Sequence, residues 1–223
     1  MKNLKDILED FNKAVGGDTN EDVLQDWFKK IAEVLLYGGY IQVREDYRVY
    51  IRTVEFYFHS EKPSGVHDPI VYHRNLRGCD GIVLAEVPYF PIMTLHSHDS
   101  GFDITFESET NEYRASALIR SYEVKGKDGM YLVWNKKSMF VKQSTYMFNT
   151  QSLYLRKLLN GFIFEKDTKN NNVYWQDEPL NRPIHITKAK RRNVLLSENE
   201  FVYKKIDGQK CKREWSFTRE EQV

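Results

Sequence analysis

Apolar residues change their spacing once along this chain, and that change leaves few folds open. Leu4, Ile7, Leu8, Phe11 and Val15 recur at i, i+3, i+4 and i+7, which predicts an amphipathic helix over 4–15 that Gly16-Gly17 ends. Asp18-Thr-Asn20 offers caps for a second helix over about 20–36, with Val23, Trp27, Ile31 and Leu35 on its apolar face and Gly38-Gly39 after it. From Tyr40 the period falls to two. Strands are expected over 40–44, 47–59, 91–96, 102–107, 113–125 and 130–135. A further helix is expected over 150–160, on Leu153, Leu155, Leu158 and Leu159, and an exposed loop over 166–172. Trp175, Ile184, Ile186, Val194, Phe201, Tyr203, Trp215 and Phe217 are expected to hold the last third in the same fold. With no repeat and no low-complexity linker, residues 1–223 read as one α+β domain: a mostly antiparallel, curved sheet with N-terminal helices.

Hydrophobic residues make up 41% of the 223 residues, enough for a core of that size. No apolar run approaches the roughly 20 residues of a membrane helix, and Met1-Lys-Asn-Leu-Lys-Asp lacks a signal-peptide core. A cytoplasmic monomer with no membrane contact is expected. Cys79 and Cys211 then read as free thiols, with a single disulfide as the alternative. A net charge of +1 means that a nucleic-acid partner would need a local basic patch. The one dense basic run, Lys188-Ala-Lys-Arg-Arg192, reads either as a phosphate contact or as a solvated loop.

Strand parity sorts the side chains further. In 47–59, Val54, Phe56 and Phe58 share one face, and Glu55, Tyr57 and His59 share the other. In 102–107, Phe102, Ile104 and Phe106 oppose Asp103, Thr105 and Glu107. A face of acid, phenol and imidazole is either an active-site wall or the wet side of an antiparallel sheet.

The order of several segments resembles the alkyladenine DNA glycosylase family. Ala32-Glu-Val-Leu-Leu-Tyr-Gly-Gly-Tyr-Ile, followed by Tyr50-Ile-Arg-Thr-Val-Glu-Phe-Tyr, is similar to that family's opening helix and its strand ending in Val-Glu-x-Tyr. Gly65-Val-His67-Asp, His73-Arg-Asn75, Phe102-Asp-Ile-Thr and Ala117-Leu-Ile-Arg120-Ser-Tyr-Glu-Val follow in the family's order. Leu155-Arg-Lys-Leu-Leu-Asn-Gly and Lys190-Arg-Arg-Asn-Val are weaker echoes, so the match spans roughly residues 22–195. The resemblance implies a glycosylase-like fold with damaged DNA as partner. It implies hydrolysis of the N-glycosidic bond of an alkylated purine by a Glu-activated water, without metal or organic cofactor. It makes Glu55 the general base, Tyr57 a stacking face for the extruded base, His67 a pocket histidine and Arg120 the holder of the DNA backbone. Asp103 stands where the family has a pocket Asn, and Met93 and His96 fall near its stacking and wedging tyrosines. The segment after Asn75, the Asp for Asn and the near-neutral charge depart from the family. On this reading Glu55, Tyr57 and Arg120 line one pocket with Asp103 at its edge.

Other readings use other residues. Asp103 with Glu123-Val-Lys125 fits the Asp…Glu-x-Lys pattern of Mg²⁺-dependent nucleases. On a regular strand Arg120 and Glu123 face opposite ways, so Glu123 and Lys125 would leave a site that Arg120 lines. His96-Ser-His98-Asp99 with His67 or His73 would suit a metal. A non-catalytic nucleotide- or nucleic-acid-binding protein on the same fold is the third reading.

Overall fold

Two asparagines start the two helices. In the computed structural model, the side chain of Asn3 accepts from the Asp6 N–H to open α1 (Leu4–Ala14), and that of Asn20 accepts from the Val23 N–H to open α2 (Glu21–Tyr37). The structure describes residues 2–68, 70–71, 73–78, 82–98, 101–134, 140–143, 159, 173–181, 183–191 and 213–220. The buried stripe of α2 runs through Leu24, Phe28, Ile31 and Leu35. Val23, expected on that stripe, lies in the first turn beside the cap and is 40% exposed.

The strands are β1 (Gly39–Val43), β2 (Tyr47–Ser60), β3 (Leu76–Arg77), β4 (Val83–Ala85), β5 (Thr94–His98), β6 (Gly101–Thr105), β7 (Tyr113–Gly126), β8 (Tyr131–Trp134), β9 (Phe140–Gln143), β10 (Val173–Asp177), β11 (Ile186–Ala189) and β12 (Ser216–Arg219). Ten of them form one antiparallel sheet, ordered β10-β1-β2-β7-β6-β5. The β11–β12 hairpin joins at β2, and β8–β9 joins at β7. β3 and β4 form a separate hairpin. The protein is therefore α+β, with helices against one face of a mostly antiparallel sheet. Phe28 stacks on Phe56 at 4.6 Å, and Phe11, Phe106, Tyr113 and Trp215 complete an aromatic centre between the layers. Among the described residues no helix is long and apolar enough to cross a membrane.

One irregularity in the β2–β7 ladder shapes everything on its far side. The register slips between Ile51 and Thr53 and again between Thr53 and Val54. The core face of β2 therefore passes from Val49 and Ile51 to Val54, Phe56 and Phe58. On β7 it passes from Val124 and Tyr122 to Ile119 and Ala117. Such bulges bend a strand and re-aim its side chains. Regular parity put Arg120 and Glu123 on opposite faces; with the slip between them, neither lies on the core side.

In the last third, Trp215 and Phe217 are buried and Trp175 and Ile186 pack against the core, whereas Ile184, expected inside, is 40% exposed. Leu159 is helical and buried. The rest of the 150–160 helix, the 166–172 loop, Cys79, Asp99, Arg192, Val194, Phe201, Tyr203 and Cys211 lie outside the described residues.

Candidate functional site

Register places the candidate residues in rows across four strands. Glu55 of β2 lies opposite Leu118 of β7, Leu118 opposite Asp103 of β6, and Asp103 opposite His96 of β5. The next row is Tyr57, Ser116, Thr105 and Thr94. Their strand neighbours Val54, Phe56, Ala117, Phe102 and Ile104 belong to the core, so both rows face away from the helices. Among the described residues of 61–90, Ile70 and Val71 are seated on Tyr57 and Leu118, so this stretch, the strap, lies against that face.

Three residues marked by the resemblance meet here. Arg120 Nε donates to Glu55 Oε2 at 2.6 Å, and the Tyr57 hydroxyl donates to the same oxygen at 3.2 Å. Arg120 Nη2 reaches the Tyr57 oxygen at 3.2 Å, closing a triangle around a carboxylate that is 0% exposed. Burial raises the Tyr57 phenol's pKa, with the nearby Glu55 charge adding to it and Arg120 opposing it. Burial works against the Arg120 cation, but Tyr57 and Glu55 outweigh it and its pKa is raised. This is a preorganised acid–phenol–guanidinium cluster: Glu55 accepts, Tyr57 donates, and Arg120 carries the positive charge.

Asp103 shares the row with Glu55 but stands two strands away, about 10 Å at ordinary strand spacing, with Leu118 between them. Its carboxylate accepts from Ser116 Oγ at 3.0 Å and lies 3.2 Å from His98 Nε2. His96 sets its ring against Phe90 at 4.4 Å, and burial lowers its pKa against the pull of Asp103. His67 sits edge-on to His59 at 5.2 Å, with Nε2 3.2 Å from the Pro63 carbonyl. Met93 takes φ 64°, its N–H bonds to the Thr105 carbonyl, and its side chain packs against the main core.

The nuclease set does not gather around one point. Glu123 lies 3.6 Å from Arg52 and 3.4 Å from Arg219, five positions along β7 from the residue that faces Asp103, about 17 Å at ordinary strand rise. Among the described residues no three His, Cys, Asp or Glu side chains cluster as metal ligands would. His73 pairs with Glu107 and His98 with Asp103.

Two groups of site residues escaped the sequence reading. Arg191, part of the basic run, is buried: it pairs with Asp68, donates to the Phe56 carbonyl at 3.2 Å and lies over the Tyr57 ring at 4.6 Å. Of the same run, Lys188 is exposed and pairs with Glu214 at 3.0 Å. The second group is a web around Arg114 that fastens the strap. The guanidinium reaches Glu61 and Glu107 at 3.2 Å each, Asn75 Oδ1 at 3.1 Å, and the Val87 and Pro88 carbonyls at 2.6 and 3.0 Å.

Two predictions follow from how the strap is held. His59 Nδ1 accepts the Asp68 backbone N–H, so only the unprotonated nitrogen fits, and burial pushes the imidazole's pKa down to about 4. The native state thus binds fewer protons than the unfolded chain between about pH 6.5 and 4. The contribution is whole above 6.5 and is lost as pH falls through that window, about 3 kcal/mol in total. Urea unfolding at pH 7.5 and 4.5 should show a larger loss in wild type than in His59→Asn, which keeps an acceptor but does not titrate; equal losses would exclude His59. Gly65 is the strap's other fixed point. A β-carbon there would lie 1.9 Å from the Gly17 carbonyl oxygen and 2.2 Å from Ser60 Oγ. Gly65→Ala should destabilise by about 1–3 kcal/mol through overpacking, and an unchanged melting temperature would contradict it.

No family model, curated protein or solved structure matches the chain.

Proposed function

We propose that this protein hydrolyses the N-glycosidic bond of a damaged, alkylated purine in DNA, on a glycosylase-like fold, with Glu55 activating the water. The observation that supports this is the meeting of Glu55, Tyr57 and Arg120 in one hydrogen-bonded triangle on the off-core face. The target is out of reach inside a duplex, so the nucleotide is extruded towards this face. Water attacks the anomeric carbon, its proton passes to the Glu55 carboxylate, and the carbon–nitrogen bond breaks with its electron pair going to the purine. The carboxylate also favours the positive charge that builds on the sugar. A purine already cationic from alkylation leaves without further protonation, so such lesions are the preferred class. Arg120 is the exchangeable partner: a DNA phosphate competes with Glu55 for its guanidinium, and its transfer to phosphate unmasks the base. Strap residues Ile70 and Val71 lie over Tyr57 and Leu118, so substrate access requires the strap to move. The deciding experiment measures free base released from methylated duplex and single-stranded DNA by wild type and Glu55→Gln.

Binding without hydrolysis is the second reading. Full burial of Glu55 and its ion pair with Arg120 favour it, because the carboxylate already has a cationic partner. No release from any alkylated or deaminated substrate, with DNA binding retained, would select it.

A further inference from the structure

Beyond Arg120 the off-core face of the sheet carries a second, unassigned surface. One row crosses five strands: Tyr174 of β10 opposite Gln42 of β1, Gln42 opposite Arg48 of β2, Arg48 opposite Lys125 of β7, and Lys125 opposite Tyr131 of β8. The neighbouring residues Val173, Ile41, Val43, Val49, Val124 and Leu132 all belong to or pack on the main core, so every member of the row projects to the other side. The adjoining row adds Tyr40 and Tyr50, whose rings lie 5.2 Å apart. The Arg48 guanidinium lies over the Tyr40 ring at 5.0 Å, and the Lys125 ammonium over Tyr131 at 5.6 Å. Tyr174 is 49% exposed and the Arg48 side chain 47% exposed.

We propose that this face binds a short stretch of single-stranded nucleic acid, whose bases stack on Tyr174, Tyr131 and the Arg48 plane and whose phosphates meet Arg48 and Lys125. The row holds two cations and no carboxylate. Glu178 lies at its rim, 3.9 Å from Arg48, and Glu123 in the next row is engaged by Arg52 and Arg219. Four strand spacings give about 19 Å, room for about four nucleotides, the small end of the range for single-strand-binding folds. Aromatic rings on either side of a pair of cations suit nucleobases joined by phosphates. An acidic peptide would use the cations and leave the tyrosines idle. The surface lies on the same side of the sheet as Glu55, with Lys125 five positions along β7 from Arg120. Binding here goes beyond the glycosylase reading, since it does not require Glu55 to act.

The test is anisotropy of a labelled, undamaged twelve-nucleotide oligothymidylate against the full chain over a salt series. Wild type should bind with a negative salt slope. Arg48→Ala with Lys125→Ala should weaken binding at least tenfold and shrink the slope by about 1.4, two phosphate contacts on a single strand. Tyr174→Ala should weaken it about fivefold or more with the slope unchanged. Circular dichroism checks the fold, which substitutions at exposed Arg48 and Tyr174 leave intact. Absent binding, or affinity unchanged in these variants, would overturn the proposal. So would displacement of the oligonucleotide by polyglutamate together with an unaffected Tyr174→Ala, which assigns the face to an acidic protein partner. Base release by the same preparations reads the Glu55 site separately: its loss in Glu55→Gln with oligonucleotide binding intact supports the surface as an independent site.

Discussion

On the proposed glycosylase reading, Glu55→Gln should lower base release from alkylated DNA by about 10²–10⁴ while leaving DNA affinity nearly unchanged, the loss typical of removing a general base. The amide keeps the volume of the carboxylate, and its oxygen still accepts from Arg120 Nε and the Tyr57 hydroxyl, so the triangle keeps its shape. On this reading the variant lacks the step in which the water's proton is accepted, which an amide does not perform near neutral pH. Binding through phosphate contacts elsewhere should survive. Because Glu55 is buried against a cation, the variant's fold is checked by circular dichroism and its binding by titration before its rate is read. Tyr57→Phe gives an independent measure. It leaves the carboxylate but removes a donor to Oε2, so release should fall by a smaller factor. Equal release from wild type and Glu55→Gln would take Glu55 out of the mechanism.

The helices and central strands were legible in the sequence because each obeys one period. Leu4 to Phe11 keeps helix spacing, Val54 to Phe58 keeps strand spacing, and the structure follows both. Glu55 and Tyr57 were legible for the same reason, lying opposite the apolar parity on β2. Single-strand parity does not register a bulge, because the slip beside Arg52 and Arg120 arises from pairing between two distant segments. That is why Arg120 and Glu123 were sorted to opposite faces. β10, β11 and β12 are four or five residues long and are fixed by partners remote in sequence, such as Phe217 opposite Val54. Local pattern alone does not announce them. Arg191 was lost in a basic run that reads as solvated, since its burial depends on Asp68, 123 positions away. The strap is not legible because no hydrophobic period runs along it: beyond Ile70 and Val71, polar side chains and backbone carbonyls hold it to the sheet.

Arg114→Met should therefore be the most destabilising single change near the site. The wild-type guanidinium is fully buried and lies between two buried carboxylates, Glu61 and Glu107. Removing it leaves both beside an apolar side chain, and Asn75 and the Val87 and Pro88 carbonyls lose donors as well. Breaking a buried pair in this way costs about 3–5 kcal/mol, because Glu61 and Glu107 then keep only Arg77 and His73 as side-chain partners and lose the cation they share. For a chain of this length that is a fall in melting temperature on the order of 10 °C. The loss should also be local. Amide exchange across 73–90 should quicken more than across β2 and β7, since the strap loses its fastening while the helix-facing core stays packed. Adding Glu61→Gln and Glu107→Gln to Arg114→Met should recover part of the stability, because the triple variant removes the two carboxylates that have lost their shared cation. Such recovery separates excess buried charge from lost packing; a triple variant no more stable than Arg114→Met would assign the effect to the guanidinium's contacts with Tyr89 and the strap carbonyls instead. A melting temperature unchanged in Arg114→Met would mean that the web does not hold the strap.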